Sequence, residues 1–464
     1  MAREVTGQRP IAGERSITGA RPTSSSRSVA PPLPEPPSIA ANTEGQSPFA
    51  YQIAAARWMR GRRRCVLADE MGLGKTAITL RAIPAAPTVV VCPASVRGTW
   101  RAEAAKWRPE LRAVLPRAGD FRVPMRGELV AVSFESLPLE PTALGGLGDA
   151  TLVVDEAHRV KNEEALRSLK VQRLGRLCAR VYLLTGTPLL NSPPELWGVL
   201  AAAGLARKVF GSWATFCELF GGTLYRGGVR WAELPPHPEE IRKRLARVML
   251  RRLRRDVLPN LPGKRYRDVP VEVSDALAAE LDRVDREWRA RGDDELPPLE
   301  LVGQLRAMLA SDRIGAMLEH VEDFEAQHET PLVVFSAHRE PVDALASRPG
   351  WAVITGDASS SARQRAVDAF QAGELRGIAA TIQAGGLGLT LTRAAHVLFV
   401  DLSWTPADNA QAEDRCARIG QAADHVLVTR LHADHALERR VYRILDRKRA
   451  MIDATFGGAI GGAT

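Results

Sequence analysis

Two series of short apolar runs, rich in valine, isoleucine and leucine, dictate the architecture of this chain. The first comprises RCVLA (64–68), TVVVC (88–92), LVAVS (129–133), TLVVD (151–155) and VYLL (181–184). The second comprises PLVVF (331–335), WAVIT (351–355), GIAA (377–380), HVLFV (396–400) and HVLVTRL (425–431). The runs have the length of strands and alternate with helical patterning. Strands of a parallel sheet covered on both faces read this way, because neither face has to be polar. Two series predict two α/β sheets, each with its own core, and 464 residues are too many for one ordinary core.

Composition divides the chain around these series. Residues 1–46 are rich in Ser, Pro, Gly and Arg, carry PPLPEPP at 31–37, and are expected to form a disordered tail. That tail is expected to serve as a spacer, with its proline run a candidate docking strip for a protein partner. The first α/β unit is expected over 47–204. From 205 to 325 the strand signal fades into Gly/Pro turns and helical patterns, expected to be helical insertions and the linker between the units. The second unit is expected over 326–450, and 451–464 as a flexible tail. Within the middle segment, IRKRLARVMLRRLRRD (241–256) is strongly basic. Its arginines, Arg251 and Arg252 among them, suit either a solvated helix face or the phosphates of a polyanion.

The formal net charge of +9 favours a polyanionic partner such as nucleic acid. No apolar run is long enough for a membrane-spanning helix. The five cysteines (Cys65, Cys92, Cys178, Cys217 and Cys416) are scattered without a CxxC pair, which argues against disulfides and a zinc site and fits a reducing cytoplasm.

Two motifs carry chemistry. ADEMGLGKT (68–76) lies between a strand and a helix, where backbone N–H groups and the positive end of the helix can face phosphates. Gly72 and Gly74 let the backbone curl, Lys75 is expected to neutralise β- and γ-phosphates, and Thr76 to ligate magnesium. Asp69 stands where the strict phosphate-loop pattern has its first glycine. VVDEAH (153–158) puts two carboxylates at the C-terminal end of a buried strand, where α/β sheets bind ligands. Asp155 is expected to hold magnesium through water, and Glu156 to orient and deprotonate an attacking water. His158 is read as coupling this site to the next motif.

DEMGLGKT, VCPASVRGTWRAEAAKW (91–107), VSFESL (132–137), DEAHRVKN (155–162), LLTGTPLLNSPPEL (183–196), VVFSAHRE (333–340), TIQAGGLGLTLTRA (381–394) and WTPADNAQAEDRCARIGQ (404–421) follow one another in order. Together they resemble the Swi/Snf-type, helicase-related ATPases of superfamily two, over roughly residues 48–450. RVMLRRLRRDVLPNLPGK (247–264) and TGDASSSAR (355–363) point to the compact distal branch that includes annealing helicases. The resemblance implies two tandem RecA-like lobes with helical insertions between them, ATP and magnesium as ligands, and hydrolysis in the cleft between the lobes. It implies that Gln52 reads the adenine edge, with Asp69, Gly388 and Gln411 in the nucleotide-binding set. Thr185 and Thr187 would sense the γ-phosphate, and Arg415 and Arg418 would be arginine fingers supplied by the second lobe. Ser95, Ser133, Ser336 and Thr390 become candidates for sequence-blind contacts to DNA phosphates. Two positions depart from the family pattern: Ala417, where a histidine is usual, and Leu190.

The expected function is therefore a DNA-stimulated ATPase that translocates on double-stranded or branched DNA. It would be a monomer in a bacterial or phage setting, associated with the nucleoid and not with a membrane. A motor subunit of a restriction, defence or replication system, an RNA-directed motor and a catalytically dead DNA-binding scaffold are the competing readings.

Overall fold

The computed structural model describes residues 47–140, 145–189, 191–226, 228–258, 261–290, 299–385, 389–418 and 420–461. The strands are β1 (Arg64–Leu67), β2 (Thr88–Cys92), β3 (Arg112–Val114), β4 (Glu128–Ser133), β5 (Thr151–Val154), β6 (Arg180–Leu184), β7 (Thr223–Tyr225), β8 (Gly228–Arg230), β9 (Met249–Leu250), β10 (Gly263–Val271), β11 (Leu332–Ser336), β12 (Trp351–Ile354), β13 (Gly377–Thr381), β14 (His396–Phe399) and β15 (His425–Ala433). The first sheet is parallel throughout, in the order β3-β4-β2-β5-β6-β1-β9. The second is also parallel, in the order β10-β15-β14-β11-β13-β12.

Side-chain alternation gives each sheet two cores. In the first, Val66, Val91, Val132, Val154 and Leu183 enter one cluster, while Leu67, Val90, Ala131, Val153 and Leu184 enter the other with the fully buried Trp100. In the second, Val333, Phe335, Val397 and Phe399 face one side, and Leu332, Val334 and Leu398 the other. Successive residues on a strand point to opposite faces, so apolar residues at every position mean burial on both.

The segment 205–325 contains more strand than its composition announces. β7 and β8 form an antiparallel hairpin, β9 closes one edge of the first sheet, and β10 is a nine-residue edge of the second. Only one side of β10 is paired, in register with β15 from Gly263↔His425 to Val271↔Ala433. Its sequence GKRYRDVPV is largely exposed, so an apolar run never appears, and Pro270 is compatible with an edge. The basic stretch 241–256 breaks into the helix Pro238–Leu245, then β9, then the short helix Arg254–Val257.

The expectation of a flexible tail over 451–464 is corrected as far as residue 461. A helix runs over Ala436–Phe456, with Leu445 in the second-sheet core and Met451 and Phe456 in the first-sheet core. Beyond it, Ile460 is buried and exchanges two backbone hydrogen bonds with Arg251, of 2.8 and 2.9 Å. Burying each of Met451, Phe456 and Ile460 contributes about 1.5–3 kcal/mol. The disordered tail expected over 1–46 lies outside the described residues.

Candidate nucleotide site between the two sheets

The loop after β1 curls through Gly72 (φ 84°) and Gly74 (φ 75°) into the helix Lys75–Ala82. The positive φ of Gly74 favours glycine, and a Cβ there would fall 2.5 Å from Gln52 Nε2, which would have to shift. Gln52 is buried against the loop; its Nε2 donates to Leu73 O (3.3 Å) and its Oε1 accepts from Phe49 N (3.1 Å). The Lys75 ammonium donates to the carbonyls of Asp69 (2.9 Å) and Glu70 (3.4 Å), so the loop curls around its own cation. Thr76 occupies the first turn, half-buried. Asp69 is fully buried. It accepts from Arg252 N (3.1 Å) and Nε (3.0 Å) and pairs with the rest of that guanidinium. Asp69, expected in the nucleotide-binding set, and Arg252, expected among the DNA contacts, are thus paired with each other.

Asp155 extends β5, its N–H donating to Val91 O (2.8 Å). Its carboxylate accepts from Trp100 Nε1 (2.8 Å) and Glu156 N (2.9 Å). Burial pushes this carboxyl up to about 6, and the Glu156 charge adds to the shift, against the Trp100 hydrogen bond and the Lys75 charge. Glu156 has the one positive φ (51°) among the described non-glycine residues. Holding a side-chain-bearing residue there costs about 1–2 kcal/mol and aims the carboxylate off the end of the strand. Burial pushes the Glu156 carboxyl up too, but His158, Lys75 and Arg415 outweigh it and hold the group below the usual carboxylate range. His158 Nδ1 lies 3.3 Å from Glu156 Oε2 and 3.5 Å from Thr185 Oγ1, which also accepts from Thr187 N (3.1 Å). A polar chain therefore runs from the end of β5 to the end of β6.

The second sheet supplies the other wall. A cleft of about 500 Å³ is lined by Glu156, His158 and Arg159 on one side and Gln383, Asp408 and Gln411 on the other. Arg415 follows the helix Pro406–Glu413, and its charge reaches Glu156 across the cleft. Burial and the neighbouring Arg418 lower the Arg415 pKa to about 10, so it remains a cation at neutral pH. Arg418 is turned to its own lobe, donating to Leu389 O (3.3 Å) and Thr390 Oγ1 (3.1 Å). A larger cavity of about 730 Å³ lies behind Glu70 and Arg254, but Lys75, Asp155 and Glu156 do not line it. Glu156 lines the smaller cleft, and neither Lys75 nor Asp155 lines either cavity.

Several expected DNA contacts are spent internally. Ser336 is fully buried and donates to Asp401 (2.5 Å), which also faces His338 Nδ1 (2.8 Å). Ser133 is buried against Ser136 Oγ (3.2 Å), and Thr390 accepts from Arg418. Arg251 donates to Ala68 O (3.2 Å) and lies over the Phe456 ring. Ser95 is half-exposed in the turn Ala94–Val96 after β2. Gly388 and Leu190 lie outside the described residues. Sequence reasoning missed Trp100, whose indole orients Asp155 from 55 residues away, and Arg254, which bridges the lobes. Neither position carries a local signal of its role.

The family description "SNF2-related domain" matches residues 51–278, and "Helicase conserved C-terminal domain" matches residues 312–420. The chain belongs to the SNF2-related, helicase-type ATPases. This SNF2-related chain is 31% identical over 422 residues to human "DNA annealing helicase and endonuclease ZRANB3", covering 85% of this chain and 39% of the relative. It is 30% identical over 404 residues to the Xenopus tropicalis "SWI/SNF-related matrix-associated actin-dependent regulator of chromatin subfamily A-like protein 1", covering 81% and 41%. The chain thus spans about two fifths of the length of these curated relatives. Among solved structures it resembles the "Sulfolobus solfataricus SWI2/SNF2 ATPase core in complex with dsDNA", at 23% identity, TM-score 0.41, covering 89% of this chain and 93% of that one.

Proposed function

We propose that this chain is an ATP-driven motor that moves along double-stranded DNA, hydrolysing ATP in the cleft between its two lobes. One observation carries the reading: Glu156 and His158 of the first lobe line one cleft with Gln383 and Gln411 of the second. A site assembled from two lobes is sensitive to their relative position, which is what couples turnover to movement.

The donor set fits magnesium. Asp155 is a buried carboxylate whose ionised form is disfavoured by burial, and Thr76 offers a hydroxyl at the start of the phosphate-loop helix. When bound there, the ion neutralises phosphate charge. Lys75 holds the β- and γ-phosphates. Glu156, kept anionic, orients the attacking water and takes its proton, with His158 fixing the carboxylate. Arg415 stabilises charge on the transferred phosphoryl group. DNA phosphates meet exposed backbone and Ser95, not the buried Ser133 and Ser336, so binding is insensitive to sequence and weakens with salt.

The test is ATP turnover by the purified chain with blunt duplex, forked duplex, single-stranded DNA or RNA, and Lys75→Ala as control. Stimulation by duplex DNA above the other nucleic acids is expected. An absence of turnover with every nucleic acid would leave the non-catalytic scaffold. Stimulation by RNA alone would point to an RNA-directed motor.

A further inference from the structure

The stretch after β9 runs beside the phosphate loop like a further strand. Ala68 N donates to Leu250 O (2.7 Å), Glu70 N donates to Arg252 O (3.0 Å), and Arg252 N and side chain hold Asp69. The next element of this ladder is Arg254. Its backbone N–H donates to the Glu70 carboxylate (2.6 Å). Its guanidinium leaves the first lobe altogether, donating to Asp414 Oδ1 (2.5 Å) and to the Ala417 carbonyl. Those two acceptors immediately precede Arg415 and Arg418. Arg254 and Asp414 are each 8% exposed, so water does not screen the pair.

The finger-bearing turn is pinned from a second side. Lys264 donates to Asp414 (2.8 Å) and Glu413 (2.9 Å), and Glu413 also accepts from Tyr266 OH (3.0 Å) and Arg430 (3.1 Å). Lys264 and Tyr266 belong to edge strand β10 and Arg430 to its neighbour β15, so these bonds stay within the second lobe. In this set Arg254 is the residue that joins the turn to the phosphate loop. A planar guanidinium suits the task, since it engages a carboxylate and a carbonyl at once in fixed geometry.

We propose that Arg254 is a positioning residue, a latch that sets the distance between the phosphate loop and the turn carrying Arg415. The proposal rests on the ATPase reading for its kinetic consequence, but the latch itself is a geometric claim with its own readout. The latch holds the finger turn near the loop before any ligand arrives, so its loss slows the chemical step without weakening ATP capture. Arg252, two residues earlier, keeps the loop itself in place.

The experiment uses the full chain. All five native cysteines are buried, so cysteines introduced at the exposed positions Arg101 and Arg365 can be spin-labelled selectively, one on each lobe. The expected result for Arg254→Gln is a broadened and lengthened inter-label distance distribution. DNA-stimulated kcat should fall at least tenfold, with KM for ATP within twofold of the parent. Arg254→Lys, which keeps the charge but loses the two-pronged geometry, should be intermediate in both readouts and guards against a folding defect. The exchange Arg254→Asp with Asp414→Arg should recover part of kcat. Unchanged distances in Arg254→Gln would overturn the latch, as would a loss confined to KM. If the parent chain shows no turnover at all, the ATPase reading fails, and the distance distributions still decide the latch.

Discussion

Replacing Trp100 by phenylalanine isolates one hydrogen bond at the centre of the site. The indole Nε1 donates to Asp155 Oδ2 at 2.8 Å, and the ring is fully buried in the first-sheet core. Phenylalanine keeps most of the apolar volume and removes the donor. A hydrogen bond to a charged acceptor in such a place is worth about 1.5–3 kcal/mol, which corresponds to roughly a 10- to 150-fold fall in turnover if the carboxylate must stay oriented. The variant has a second signature. Burial raises the Asp155 carboxyl to about 6 and the Trp100 bond opposes that rise, so losing the bond raises it further. The acid limb of kcat/KM for ATP, which reports the free enzyme, should therefore lie near pH 6 in the parent and move to higher pH in Trp100→Phe. Trp107→Phe is the control, because that indole donates to Glu103 (2.8 Å) away from the cleft. Steady-state ATPase profiles from pH 5 to 8 measure all three proteins. An acid limb that stays in place in Trp100→Phe, together with kcat within twofold of the parent, would refute the reasoning.

Arg415→Ala should lower kcat by about 10³-fold or more while binding of a fluorescent ATP analogue changes little, because the charge is needed where phosphoryl charge develops; equal losses in both would show a role in ground-state binding. Asp155→Asn should abolish turnover yet melt at or above the parent temperature at pH 7. The raised carboxyl opposes folding when ionised above pH 6, and that cost fades as pH falls through 6 towards the ordinary carboxylate value; a melting temperature several degrees below the parent contradicts this sign. Truncation after Ala450 removes Met451, Phe456 and Ile460 from the first core, worth about 5–9 kcal/mol as an upper bound. The truncated chain should show a sharply lower urea midpoint, and an unchanged midpoint would restore the reading of a dispensable tail.

The places of Lys75, Thr76, Asp155 and Glu156 were legible because Asp155 and Glu156 directly follow a strand with a legible apolar run, and Lys75 and Thr76 open the helix reached from such a strand through one glycine-containing loop. A parallel strand buried on both faces ends at the ligand-binding edge of its sheet, so contiguous sequence states both the element and the place. The two-sheet division was legible for the same reason. Edge strand β10 was not, since exposure on one side removes the apolar pattern that announces a strand.

The serines show the limit most clearly. Ser336 looks, from its motif, like a hydroxyl available for phosphate, yet it is spent on Asp401, 65 residues away. Asp69 and Arg252 are 183 residues apart, and Arg254 and Asp414 are 160 apart. The sequence alone determined the sheets, the phosphate loop and the two acidic residues, because those depend on local pattern and strand burial. Only the tertiary structure decided which charges meet across the lobes, which hydroxyls are already taken, and that the last helix joins both cores. Those choices depend on which surfaces touch after folding, and periodicity along one strand or helix carries no record of its distant partner.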